Sequence, residues 1–129
     1  MDDYVSRVRA FPVIYTKDVP RLVTFYERLG FAVTFRHPPD SEDGYASLSR
    51  DGSDLGIVNA EFPRDQIGVE VGDRPRFEMF VYVDGLDDFV AGLDAPVLQS
   101  PTDMPWGERL AYVTDPDGNP VALAQPGEA

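Results

Sequence analysis

The sequence predicts an α+β protein built from one strand, helix, strand, strand, strand module used twice, and three observations carry that expectation. The run Phe11-Pro12-Val13-Ile14-Tyr15-Thr16-Lys17-Asp18 matches Phe77-Glu78-Met79-Phe80-Val81-Tyr82-Val83-Asp84 at a separation of 66 positions, each an alternating strand that opens on Phe and stops at Asp. A helical stretch follows each strand, carrying Phe25 and Leu29 in the first copy and Phe89 and Leu93 in the second. Each copy closes in a turn and an apolar strand, Asp51-Gly52-Ser53-Asp54-Leu55-Gly56-Ile57 against Asp117-Gly118-Asn119-Pro120-Val121-Ala122-Leu123, again 66 positions apart.

In chain order, the strand over 11–17 leads to Asp18-Val19-Pro20, a helix start with an acidic cap and Pro in the first turn; Gly30 supplies the stop. Leu22, Phe25, Tyr26 and Leu29 fall at spacings of three and four and make one apolar stripe, so this helix is expected to pack on a sheet. A strand over 31–35 is followed by the polar, Pro-bearing loop 37–44, then by strands over 45–49 and 55–59 joined at Arg50-Asp51-Gly52-Ser53. The stretch 61–76 carries Pro, Gly and charge without periodicity and reads as a connector. The second copy predicts a strand over 77–83, a short helix over 86–93, a short strand over 96–99, a loop over 100–107, and strands over 109–113 and 120–124. Residues 126–129 read as a loose tail. The layout is one domain over 1–129 with modules at about 8–60 and 74–125 and a connector at 61–73.

A chain of 129 residues can bury roughly two thirds of its unfolded surface, so it needs no staples. Cysteine is absent, which removes disulfides and thiolate chemistry and suits a reducing compartment. Met1-Asp2-Asp3-Tyr4 lacks a basic then apolar run, and no window approaches a membrane span, so a soluble cytoplasmic protein is expected. A formal charge of −12 opposes nucleic acid, whose phosphates are bound by clustered Lys and Arg. The acidity serves solubility or attracts a cationic ligand; composition does not separate the two.

Phe25-Tyr26-Glu27-Arg28-Leu29-Gly30-Phe31, Pro105-Trp106-Gly107 and Asp115-Pro116-Asp117-Gly118-Asn119 resemble the vicinal-oxygen-chelate superfamily, the glyoxalase, bleomycin-resistance protein and dioxygenase group. The resemblance runs from about Phe11 to Gln125 and is closest to the metal-free, drug-binding bleomycin-resistance type. It implies paired βαβββ modules whose sheets curl into a partly open cup, and a homodimer. It also implies metal ligands at the start of each first strand and in each last strand, positions that transfer to Phe11, Phe77, Gly56 and Ala122. Phenyl, hydrogen and methyl groups offer no lone pair, and His37 is the one histidine, so no metal and no cofactor are expected.

These replacements make an apolar cup floor, and alternation is expected to set Val13, Tyr15, Met79 and Val81 on the same face. Phe11 and Phe77 either line a small-molecule pocket or fill the cup as core. Trp106 matches a Trp-Gly segment that lies beside the drug groove in bleomycin-resistance proteins, and is a stacking candidate or else a loop anchor. Phe35, His37, Tyr45 and Arg109 are further rim candidates.

The Asp115–Asn119 segment lacks the frame of a calcium loop and reads as a turn. No Gly-x-Ser-x-Gly or phosphate loop occurs, and no catalytic set is assigned. The expected function is metal-independent sequestration of a bulky aromatic natural product or antibiotic, giving drug self-resistance. The alternative is a lyase, isomerase, epimerase or glyoxalase-like enzyme with a non-standard site drawing on Glu61, Glu70, Glu78 or Asp54; there Glu78 is expected to point away from the cup. A third reading is an accessory protein with a filled cup.

Overall fold

The structure, a computed structural model, describes residues 10–73 and 77–126; the N-terminal segment, the end of the connector and the tail beyond Pro126 lie outside them. The chain divides into two compact units between Val71 and Gly72. Each is built on a four-stranded mixed sheet. No helix among the described residues is long and apolar enough to cross a membrane.

The first unit runs β1 (Val13–Thr16), α1 (Val19–Arg28), β2 (Ala32–His37), β3 (Tyr45–Arg50) and β4 (Ser53–Asn59), with sheet order β1-β4-β3-β2. The Asp18 side chain accepts the Arg21 N–H at 3.2 Å and so caps α1, as the sequence predicts. Leu22, Phe25, Tyr26 and Leu29 are all buried, with the Phe25 and Tyr26 rings edge to face at 5.1 Å. Burying each such side chain contributes about 1.5–3 kcal/mol relative to leaving it in water. The sheet answers with Ile14, Ala46, Leu48, Leu55 and Ile57, also buried.

Beyond β4 the expected connector contains a helix, α2 (Glu61–Ile67), ended by Gly68 at φ 70°. Only Pro63 on it is buried, while Phe62 and Ile67 are exposed, so it has no apolar stripe to read. Pro63 falls in the first turn, where its missing N–H costs nothing.

The second unit runs β5 (Met79–Tyr82), α3 (Leu86–Gly92), β6 (Val97–Asp103), β7 (Arg109–Thr114) and β8 (Pro120–Gln125), in order β5-β8-β7-β6. β6 continues four residues past its expected end, through Ser100-Pro101-Thr102-Asp103. A Pro is tolerated there because β6 is an edge strand and its pairing with β7 is irregular between Gln99 and Thr102. The turn before β8 closes on the buried Asp115 carboxylate, which accepts the Asp117 and Asn119 N–H groups, each at 2.9 Å.

The two copies do not match at one constant offset. Val13 pairs with Gly56 in the first unit, and the corresponding pair in the second is Phe80 with Ala122. The closing strands therefore correspond at 66 positions but the opening strands at 67, and Ile14 answers to Val81, both buried. A one-residue slip reverses the face of every side chain on a strand.

Candidate functional site

In the first unit, the sheet face opposite α1 carries a patch of aromatic side chains. Register sets Phe35, Ser47, Gly56 and Val13 in one row across that face, and His37, Tyr45, Val58 and Tyr15 in the next. Phe11 continues the same alternation ahead of Val13 and is exposed. Six residues expected from the sequence, Phe11, Tyr15, Phe35, His37, Tyr45 and Gly56, thus lie on one face of one sheet. Phe35 is 56% exposed, and its ring meets that of Tyr45 at 6.3 Å. Tyr45 lies over Gly56: a Cβ on Gly56 would stand 2.9 Å from the Tyr45 Oη. That hydroxyl shares a 2.8 Å hydrogen bond with Ser47, which holds the ring in place.

The second unit corrects the expected face. Val81 is buried beside Val83, Val121 and Leu123 on the side covered by α3, and alternation puts Met79 and Phe77 on that side. Both are half-buried. The face opposite α3 carries Phe80 and Tyr82 instead, with rings 5.3 Å apart in an edge arrangement. Glu78 falls on this face by the same alternation, against the expectation that it points away. Ala122 lies between Phe80 and Tyr112 in one row, and Ala124 and Leu110 form a buried floor with it, against which Met104 and Tyr112 pack. Gln99, register partner of Tyr112, has a buried Nε2 with no hydrogen-bond partner among the described residues.

Arg109 is not on this face. It donates from Nε and Nη2 to the two Asp87 oxygens at 2.8 and 2.9 Å and from Nη1 to Asp103 at 2.9 Å, which ties β7 to α3. Both carboxylates keep its guanidinium charged, Asp87 first and then Asp103, while Arg109 holds the Asp87 carboxyl below its ordinary range.

Trp106 stands in the turn between β6 and β7, 64% exposed. Its Nε1 donates to Glu108 Oε1 at 2.9 Å, and the Tyr82 hydroxyl donates to Glu108 Oε2 at 2.6 Å. The Tyr82 bond and then the Trp106 bond hold the Glu108 carboxyl below the usual range, and the same Glu108 contact pushes the Tyr82 phenol up. Phe80 and Tyr82 were missed because matching Phe to Phe hid the slip, and Glu108 because only the fold brings it to Tyr82. The signal was available in the helices, where Val19 and Val23 correspond to Leu86 and Val90 at 67 positions.

The profile of the Glyoxalase/Bleomycin resistance protein/Dioxygenase superfamily matches residues 8–123. The chain belongs to that superfamily. No functionally curated protein matches the sequence. Among solved structures, TioX from Micromonospora sp. ML1 superposes with a TM-score of 0.73 at 22% identity, covering 91% of this chain and 98% of its own. A glyoxalase-related enzyme from Fulvimarina pelagi gives 0.74 at 22% identity, with 92% and 88% covered. A bleomycin-binding protein complexed with bleomycin gives 0.60 at 23% identity, with 91% and 97% covered. These likenesses establish the glyoxalase/bleomycin-resistance fold.

The superfamily implies a divalent metal, and the residues at the corresponding positions do not fit one. Phe11, Gly56 and Ala122 carry no donor atom, and the Tyr45 ring takes the space above Gly56. With the corrected register the fourth position is Glu78 in place of Phe77, a single carboxylate. Among the described residues no three His, Asp or Glu side chains come together to hold an ion.

Proposed function

We propose that this protein binds a bulky, largely aromatic natural product or antibiotic and sequesters it without metal and without chemical turnover, conferring drug self-resistance. The observation that carries the reading is that each unit displays aromatic side chains on the sheet face its helix leaves open, Phe11, Tyr15 and Phe35 in the first and Phe80 and Tyr82 in the second, where Glu108 links Tyr82 to the exposed Trp106 of the β6–β7 turn. Clustered apolar groups left in water mark a binding surface, and flat rings of this kind stack on flat ligands. Capture needs affinity alone. The bleomycin-binding relative is in keeping with a drug as ligand. A homodimer and a cytoplasmic location, which the lack of cysteine suits, belong to the same reading; sedimentation at micromolar concentration tests the first.

Trp106 is the single tryptophan, so intrinsic fluorescence reports on its surroundings directly. Titration with bleomycins, anthracyclines, mitomycins and enediynes is expected to give saturable quenching with at least one class, and chromatography is expected to recover that compound unchanged. Recovery of an altered product would replace sequestration with catalysis. Calorimetry on Trp106→Ala is expected to show binding weakened about tenfold or more, the loss of an aromatic anchor worth at least about 1.4 kcal/mol.

A further inference from the structure

We infer that the Glu108 carboxylate, clasped between Tyr82 and Trp106, is an anchor for an ammonium or guanidinium group, so that the ligand is an aromatic cation and not a neutral aromatic. The inference rests on the binding reading above and narrows it to a chemical class. Tyr82 donates to one carboxylate oxygen at 2.6 Å and Trp106 to the other at 2.9 Å. Both donors are neutral, so they orient the charge without cancelling it. Each oxygen keeps a further acceptor site.

The neighbouring residue shows the contrast. Arg109 is matched by Asp87 and Asp103, whereas among the described residues no cation lies within ion-pair distance of Glu108. The rings around Glu108 stay open to solvent: Trp106 is 64% exposed, Tyr82 47% and Phe80 44%. Aromatic rings beside a fixed carboxylate attract a cation through their quadrupoles as well as through the charge. A neutral flat ligand settling there would strip water from the carboxylate and return no counter-charge. A cation repairs that loss. The formal charge of −12 adds a long-range field of the same sense, which speeds the approach of a cation and repels an anion.

Two tricyclic probes of nearly equal area separate charge from stacking: 9-aminoacridine, a cation at pH 8, and acridine, neutral there. Equilibrium dialysis against the full chain at low salt is expected to show 9-aminoacridine bound at least about tenfold more tightly. Glu108→Gln is expected to bring the two affinities within about twofold while acridine binds no worse. Raising ionic strength to about 0.5 M is expected to weaken the cation alone. Equal affinity of the wild-type chain for both probes, or a preference that survives Glu108→Gln, overturns the anchor and leaves sequestration of aromatics standing. Binding of neither probe removes both readings. Chemical conversion of a bound cation would remove sequestration and keep the anchor.

Discussion

Tyr45 occupies the space that a side chain at Gly56 would need, so the two positions are energetically coupled. Gly56→Ala is expected to cost about 1 kcal/mol, the low end for overpacking because the atoms in the way are the far end of the Tyr45 side chain, whose displacement gives up its hydrogen bond to Ser47. In a Tyr45→Ala background that cost is expected to vanish, and a urea-denaturation double-mutant cycle reads the difference. Asp115 is a residue of the opposite kind, polar and only 3% exposed, whose carboxylate accepts two backbone N–H groups and the Asn119 amide. Removing it leaves buried donors unpaired, so Asp115→Ala is expected to lower unfolding free energy by about 2–3 kcal/mol. Gln99 already carries such a penalty in its orphaned Nε2. Gln99→Leu is therefore expected to stabilise the free protein by about 1 kcal/mol, read by the same denaturation.

The first strand and helix of each unit expose what residue matching cannot see. The sequence aligns Asp18 with Asp84, but the structure puts the cap of α1 on the Asp18 side chain and that of α3 on Gly85, at φ 59° with no side-chain bond. Asp18→Ala is expected to cost about 1 kcal/mol, and Asp84→Ala to stay within about 0.5 kcal/mol of wild type. Chemical denaturation of the two variants distinguishes an offset of 67 from one of 66. The Arg109 clasp between β7 and α3 makes an acid-side prediction. Asp87 has a lower folded pKa than its ordinary 3.8, so its contribution is present above about pH 4 and is lost as pH falls through the depressed folded value. Urea midpoints between pH 6 and pH 2.5 are expected to fall more steeply for wild type than for Arg109→Met. The first unit's aromatic face was legible because Phe11, Val13 and Tyr15 alternate with the buried Ile14 and Thr16 in the order the sequence shows. The second was not, because Phe77 and Phe80 fall on opposite faces and only strand pairing says which is open.

Over the whole chain, the doubled module is combined with residues that have no donor atom at three of the four positions corresponding to the superfamily's metal ligands. With three of the four corresponding positions lacking a donor atom, millimolar Zn²⁺ or Mn²⁺, or dialysis against a chelator, is expected to leave the thermal midpoint unchanged, since a ligand stabilises only a state it binds. By its own residues the sequence determined the α+β class, the doubled module, the cap and stripe of the first helix, and the lack of a donor atom at Phe11, Gly56 and Ala122. Those depend on local periodicity and on atom type, both carried by neighbours along the chain. Tertiary structure alone decided that Glu78, Phe80 and Tyr82 share the open face, that Arg109 serves α3, and that Glu108 joins Tyr82 to Trp106 across 26 positions of sequence. Side-chain facing has a period of two and register is set by pairing between distant strands, so a single inserted position, invisible in composition, exchanges core for surface.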